Sequence, residues 1–331
     1  MAYYTNISLS EANIILDLYD LSRVKILTPI GHGISNSNYI ALLENDQEII
    51  LKISNDKNDR QLLAEQYILL NLEHLGFHFS PVPILTRLRS PVYISPPWHG
   101  VLFPRFQGIV PLINDEVCQK IGSALAQLHL STKPEKLHSL PYPLRNANEV
   151  SYFPQDLVEF SHNKLCPEDF KNSIRKHLPE AALAFYLSLE QQLPHAILHG
   201  DLYYDNTLFH DGNLKGMLDF EQAGLGPCLF DIGVSISGTC LQNQKIHPPF
   251  VQSFLLGYQQ VRKLTTTEIE LLPLAVLCGF FSISLWRIHR FYLGNLSSAR
   301  KMSYQELLHM AEHTASILTH DWYNKTIKAF P

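Results

Sequence analysis

Short alternating stretches fill the first hundred residues, and longer stretches of helical period fill most of the rest. Residues 24–30, 39–43 and 48–54 alternate or run apolar over lengths that suit strands. Two more strands are expected at 92–94 and 100–106, joined by a Pro-rich turn, with residues 81–85 extended. Among these strands sit two helices. One covers about 9–18, with Ser8 or Ser10 as cap and Ala12, Ile15, Leu16 and Tyr19 on its apolar side. The other covers 60–75, with Leu62, Leu63, Tyr67 and Leu70 in helical register and Gly76 as its stop. Between 103 and 108 the pattern turns from strand-rich to helix-rich. A helix capped by Asn114 or Asp115 runs through Val117, Ile121, Leu125 and Leu128, and His129 and Leu130 close it. Two helical patterns parted near Pro179 fill 154–193, and a short apolar strand ends at Leu198. Past Asp231 the chain reads as helical to its end, at about 251–260, 267–289 and 303–318. The expectation is an α+β fold in two lobes, residues 1–103 and 104–331, with no internal repeat.

The chemistry concentrates where strands stop. The strand at 197–198 delivers His199 and, after Gly200, Asp201; Asn206 follows five residues on. A second apolar segment, 216–218, delivers Asp219 eighteen residues after Asp201. Two acids at strand ends with an amide between them suit phosphoryl transfer to a hydroxyl. One carboxylate receives the hydroxyl proton, and the amide and the other carboxylate hold magnesium against nucleotide phosphates. Asp and Asn are also ordinary turn formers, and His199 could be a core histidine bonded to backbone. Asp231, twelve residues after Asp219, could brace the catalytic loop or serve as a helix N-terminal acid. Upstream, Gly31 to Asn38 is a small polar loop between strands. Gly31 and Gly33 let backbone approach phosphate, and Ser35, Asn36 and Ser37 offer donors; a long hairpin with Gly at its turn is the plainer alternative. Lys52 stands in an apolar strand. It either faces solvent from an alternating strand or reaches the nucleotide phosphates, paired with Glu65 thirteen residues later.

These residues and their spacing resemble those of the aminoglycoside phosphotransferase and choline kinase-like superfamily, over nearly the whole chain. The features that carry the likeness are Gly31 to Asn38, Lys52, His199-Gly200-Asp201 with Asn206, Asp219-Phe220 and Asp231-Ile232. The Gly of His-Gly-Asp, where protein kinases have Arg, separates this chain from them. Within the superfamily it is most similar to type II homoserine kinases, through Gly33 to Tyr39, Leu144 to Asn148, Phe254 to Tyr258, and the run from Leu271 to Arg287. It departs from that group at Gly200, where the group has Ala, and at Glu221-Gln222, where the group has an aromatic pair. The resemblance implies a bilobal protein-kinase-like fold with a small antiparallel-sheet N-terminal lobe and a larger, mostly helical C-terminal lobe. It implies ATP and Mg2+ as cofactors and Asp201 as the catalytic group. Asn206 and Asp219 would be the metal ligands. Gly31, Gly33, Ser35, Asn36, Lys52 and Glu65 would hold nucleotide phosphates, with the hinge around Phe103 and Arg105 at the adenine.

An amino-acid acceptor would need Asp205 or Glu221 for its ammonium and Arg287 or Arg290 for its carboxylate. A polycationic aminoglycoside would want more convergent acids, for which Asp156 and Glu159 are further candidates. A choline-type acceptor would want an aromatic cage, for which Tyr203, Tyr204, Trp286 and Tyr292 are available. A nucleotide-binding pseudokinase is the alternative of another class. Composition narrows the partners. A net charge of −5 without a basic block argues against nucleic acid. Pro273 and two serines interrupt the most apolar run, 271–286, so no membrane span is expected. The first six residues lack signal-peptide character. Five cysteines without metal spacing fit a reduced, cytoplasmic protein. A monomer or homodimer acting on a small-molecule hydroxyl acceptor is expected.

Overall fold

A computed structural model describes residues 5–31, 36–294 and 297–318 of the chain. It divides into two compact units, residues 1–107 with 140–144, and residues 108–139 with 145–331. Residues 140–144, which fall in the expected second lobe, therefore belong with the first unit. Tyr142 shows why. Its ring stacks on Tyr67 with centroids 4.9 Å apart, and its backbone N–H and C=O both bond to the Asn71 side chain, at 3.2 and 3.1 Å.

The first unit is a five-stranded antiparallel sheet with two helices. Its strands are β1 (Val24–Ile30), β2 (Asn36–Leu43), β3 (Glu48–Ser54), β4 (Tyr93–Ser95) and β5 (Trp98–Pro104), in spatial order β1-β2-β3-β5-β4. The period of two in β3 sorts its side chains. Ile49, Leu51 and Ile53 are buried with Tyr19, Tyr39, Leu43 and Leu102, whereas Ile50 and Lys52 lie on the opposite face. Helix α1 (Leu9–Leu16) begins at a capping box in which Ser8 and Glu11 bond reciprocally. Helix α2 (Asp59–His74) uses Asn58 and Gln61 in the same way. It ends at Gly76, whose φ of +77° allows Phe77 N–H to reach back to Leu72 O at 2.9 Å.

The second unit is mostly helical. Helix α3 (Asp115–Ser131), capped by Asn114, is followed by α4 (Pro154–Ser161), α5 (Glu168–His177) and α6 (Glu180–Leu189). The last three replace the two helices expected between 154 and 193. The extra break comes from a turn in which the Asn163 side chain accepts from Leu165 N–H at 2.9 Å, with Pro167 then opening α5. Strands β6 (His195–Leu198) and β9 (Gly224–Pro227) pair antiparallel and flank the hairpin of β7 (Thr207–His210) and β8 (Asn213–Met217) in sequence. Helix α7 (Cys228–Thr239) is buried throughout. The short hairpin of β10 (Leu241–Gln242) and β11 (Lys245–Ile246) follows, in the stretch before the helix expected at 251–260. Helices α8 (Pro248–Val261), α9 (Thr266–Arg287) and α10 (Tyr304–Ile317) complete the unit.

Helix α9 runs through Pro273 rather than breaking there. A proline inside a helix costs about 3 kcal/mol, less than burying the apolar side chains that α9 packs against α7 and α10 returns. With the π-helical turn Ile288–Leu293 it forms a 28-residue helix whose length and apolarity would suffice to cross a membrane, and whose apolar window is 72% buried inside the protein.

Candidate active site

In the first unit, the opposite face of β3 presents Lys52 to α2. Its Nζ lies 3.5 Å from Glu65 Oε1, with 12% of the lysine side chain and 3% of the glutamate exposed. Lys57 holds the same carboxylate more closely, Nζ to Oε2 at 2.7 Å, and Gln66 Nε2 donates to Oε1 at 3.1 Å. Glu65 is thus shared by two ammonium groups. The sequence signal for Lys57 was weak, because it falls in the polar loop just before the Asn58 cap. Of the glycine-loop residues, Gly31 follows β1 with open space around its Cα, and Asn36 begins β2 as a buried residue. Gly33 and Ser35 lie outside the described residues. Phe103 is buried in β5 opposite Ile50. The Arg105 guanidinium is drawn to the Glu48 carboxylate at 2.6 Å, and its backbone N–H also points to Glu48 O, at 3.4 Å.

In the second unit, the end of β6 and the end of β8 bring the acids together. His199 ties the two segments. Its Nε2 donates to Leu218 O at 2.8 Å, and its Nδ1 accepts from Asp201 N–H at 3.3 Å. One ring nitrogen gives and the other receives, which requires the neutral imidazole. Burial agrees, lowering its pKa to about 4. The core-histidine reading of His199 is therefore right as far as its bonding goes, and that bonding joins the segment that carries Asp201 to the one that leads to Asp219. Asn206 donates from Nδ2 to Asp201 O at 2.7 Å and faces Asp201 Oδ2 at 3.5 Å, which leaves its Oδ1 for a cation. Asp219 is exposed and left-handed, φ 64° and ψ 58°, at the start of the 3-10 turn Phe220–Gln222.

Asp201 retains partial solvent exposure. Removal from water pushes its carboxyl well above the usual carboxylate range, the charges of Asp219, Asp205 and Glu221 push it further, and Arg287 opposes them. Asp205 is also raised by burial. Carboxylates gathered at mutual expense, beside an amide oxygen, make an oxygen-only donor set suited to a hard divalent cation. Asn206 and Asp219 are the pair that would hold it. Two protein ligands suffice for an ion that keeps waters and phosphate oxygens, and no group of three or more His, Cys, Asp or Glu able to hold a metal occurs among the described residues. When bound, such an ion would neutralise phosphate charge.

Asp231, at the first turn of α7, takes the bracing role. Its Oδ2 accepts from His199 N–H at 2.7 Å and its Oδ1 from Gly200 N–H at 2.9 Å. Behind it, His129 Nε2 lies 3.1 Å from Oδ2 and His129 Nδ1 lies 2.6 Å from the Tyr258 hydroxyl, all buried. Burial opposes charge on both partners. On His129 it is outweighed by Cys228 and Asp231, which raise the imidazole to about 9. On Asp231 it is outweighed chiefly by His129, which holds the carboxyl below its usual range. Sequence reading took His129 as a helix end. Its place four residues after Leu125 on the apolar stripe of α3 was the available clue.

Gly200 has φ of +80°, and a Cβ there would lie 2.5 Å from Gln222 O. The backbone at Gly200 therefore packs directly on the 220–222 turn, leaving no room for a side chain there. Gly200→Ala is expected to cost about 1–2 kcal/mol for the left-handed backbone alone. Displacement of the 220–222 turn adds to this, so both melting temperature and turnover should fall. Unchanged kinetics in that variant would mean the turn moves freely.

Residues 26–267 match the model of the phosphotransferase enzyme family, and the chain belongs to that family. It is a small-molecule kinase whose acceptor is a hydroxyl group. Among curated relatives it is 29% identical over 315 residues to a homoserine kinase of Polaromonas naphthalenivorans, covering 88% of this chain and 91% of that one. It is 26% identical to a homoserine kinase of Pseudomonas aeruginosa over 93% of this chain and 92% of the relative. Among solved structures, amicoumacin kinase hAmiN in complex with AMP-PNP, Ca2+ and Ami superposes with a TM-score of 0.69 at 16% identity, over 93% of this chain and 94% of that one. A microcompartment-associated aminopropanol kinase gives 0.62 at 16% identity, over 94% and 96% of the two chains. The protein-kinase-like fold expected from the motifs is thus the fold of its structural neighbours.

Proposed function

We propose that this protein is an ATP- and Mg2+-dependent kinase of a small amino-acid alcohol, with L-homoserine as the acceptor. Asp201 receives the hydroxyl proton, and Asn206 and Asp219 hold the metal. Lys52, in its pair with Glu65, and the loop from Gly31 to Asn36 bind the phosphates. Backbone at Phe103 and Arg105 meets the base. The observation that carries the acceptor is the set of charges acting on Asp201: the carboxylates of Asp205 and Glu221 and the guanidinium of Arg287. A zwitterionic alcohol brings an ammonium for the acids and a carboxylate for the arginine. Arg287 is held by Ser303 O at 2.8 Å and Glu306 at 3.0 Å, and it is favoured over Arg290, whose guanidinium lies over the Trp286 ring at 5.3 Å. The homoserine-kinase relatives support the same reading. A choline-type cage is disfavoured because its aromatics are engaged elsewhere, Trp286 with Arg290 and Tyr292 with Lys301. Five free, buried cysteines suit a cytoplasmic setting. Action as a monomer or homodimer, apart from nucleic acid and membrane, belongs to the same proposal.

An ADP-release screen over L-homoserine, choline, ethanolamine and aminoglycosides tests it, with L-homoserine expected to give the highest kcat/KM. ADP release with none of them, despite ATP binding, would favour the pseudokinase. Glu221→Gln is expected to raise KM for L-homoserine about tenfold or more, since a charge-assisted hydrogen bond contributes about 1.5–3 kcal/mol, while KM for ATP stays the same. An equal rise in both constants would remove Glu221 from the acceptor site.

A further inference from the structure

The turn that follows Asp219 is gripped from outside by one arginine. Arg145 donates from Nε to Ala223 O and from Nη2 to Glu221 O, both at 2.7 Å. Its own carbonyl accepts from Leu225 N–H at 3.0 Å, and Asn146 and Leu225 form an isolated parallel bridge. At Gly224 the two segments come so close that a Cβ would lie 2.6 Å from Ala147 N. The stretch that starts at Arg145 thus runs against 221–225 along its length. Carbonyls at the end of a short 3-10 turn lack a following turn to bond them and carry partial negative charge. A guanidinium presents two donors in a fixed plane, so binding carbonyls two residues apart sets the course of the chain between them. That course decides where the side chain of residue 221 points, and the Glu221 charge acts on Asp201.

We propose that Arg145 is a positioning residue for acceptor selection: by holding the carbonyls of Glu221 and Ala223, it aims the Glu221 carboxylate at the ammonium of the acceptor. The proposal rests on the reading of Glu221 as the ammonium partner. It assigns a task to the segment from Leu144 to Asn148, which the phosphoryl-transfer chemistry leaves unused. With its Nε and Nη2 spent on the two carbonyls, Arg145 is taken to act through Glu221 rather than on the acceptor directly.

The test is a double-mutant cycle on the full chain with Arg145→Gln, Glu221→Gln and the pair, using L-homoserine or whichever amino alcohol the unaltered enzyme phosphorylates. Arg145→Gln is expected to raise acceptor KM about tenfold, as loss of one charge-assisted interaction does, with KM for ATP within about twofold. Arg145→Lys, which reaches one carbonyl, should fall between. In the Glu221→Gln background, Arg145→Gln should raise acceptor KM no further. Effects that multiply would overturn the proposal, as would a parallel rise of both KM values with a drop in melting temperature, the mark of a merely structural arginine. If Glu221→Gln alone leaves acceptor KM unchanged, the ammonium site itself is wrong. If Glu221→Gln acts and Arg145→Gln does not, only the role of Arg145 falls.

Discussion

Asp201→Asn is expected to lower turnover by about 10²–10⁴-fold, the range that a positioned proton acceptor contributes, while the protein melts at the same temperature or higher. The two halves of that result come from one cause. Asp201 is kept where Asp219, Asp205 and Glu221 all raise the cost of its charge. Groups held against their own electrostatic preference are retained for chemistry rather than stability. An uncharged isostere relieves that repulsion and keeps the backbone anchor, because Asn206 Nδ2 bonds chiefly to Asp201 O, a main-chain atom. Nucleotide binding should survive, since the substitution leaves Asn206, Asp219 and Lys52 in place. Melting curves with and without Mg2+ and AMP-PNP, alongside single-turnover phosphate transfer, separate the outcomes. A variant that keeps near-normal turnover would assign the proton to another group, and one that melts many degrees lower would make Asp201 structural.

The reaction was legible in sequence because it sits at strand ends in fixed order. Asp201, Asn206 and Asp219 occur at short, local spacings, and the short apolar segments Ile197-Leu198 and Gly216-Met217-Leu218 lead into the two acids. Asp231 was legible as an acid opening a helix, with two roles open. What chooses between them is the approach of His199 and Gly200 backbone, a contact across thirty residues of sequence. Two of the groups that were missed act at long range. The third, Lys57, is local: it folds back from the loop before α2 onto Glu65, eight residues later. His129 reads as one more residue of α3 until α7 and α8 bring Asp231 and Tyr258 to its two nitrogens. Arg145 sits in a proline-rich loop whose sequence carries a family likeness and no structural pattern, and its partners are two carbonyls nearly eighty residues away. The break between α4 and α5 was missed for a related reason, whereas the helix expected at 267–289 does run through Pro273. Local signals give propensity, and the packing of neighbours decides whether a proline or an Asn turn ends a helix.

Asp231→Asn should be the most destabilising of the substitutions, and its cost should depend on pH. The carboxylate accepts two backbone N–H groups and faces His129 with no solvent exposure on either side chain. An asparagine places an NH2 against one of those donors and leaves the imidazole without its counter-charge. Breaking a buried pair from one side costs about 3–5 kcal/mol, enough to lower the melting temperature by many degrees and to release the loop that carries Asp201. The sign of the pH effect follows from the imidazole, which is raised to about 9 in the folded chain against about 6.5 when unfolded. Below pH of about 6.5 both states carry the proton and the contribution of the pair is complete. As pH rises through about 9 the folded state must give the proton up, and that contribution is lost. Asp231, held below its usual range, adds stability above the unfolded carboxylate pKa of about 3.9 and loses it as pH falls through its lowered folded value. Melting temperatures of the unaltered protein and of Asp231→Asn should therefore differ most between pH of about 4 and about 6.5, and the gap should narrow as pH rises through neutrality and past about 9, the folded pKa of His129. A gap that stays constant over that window would mean that His129 is neutral throughout, and that Asp231 braces the loop by its backbone hydrogen bonds alone.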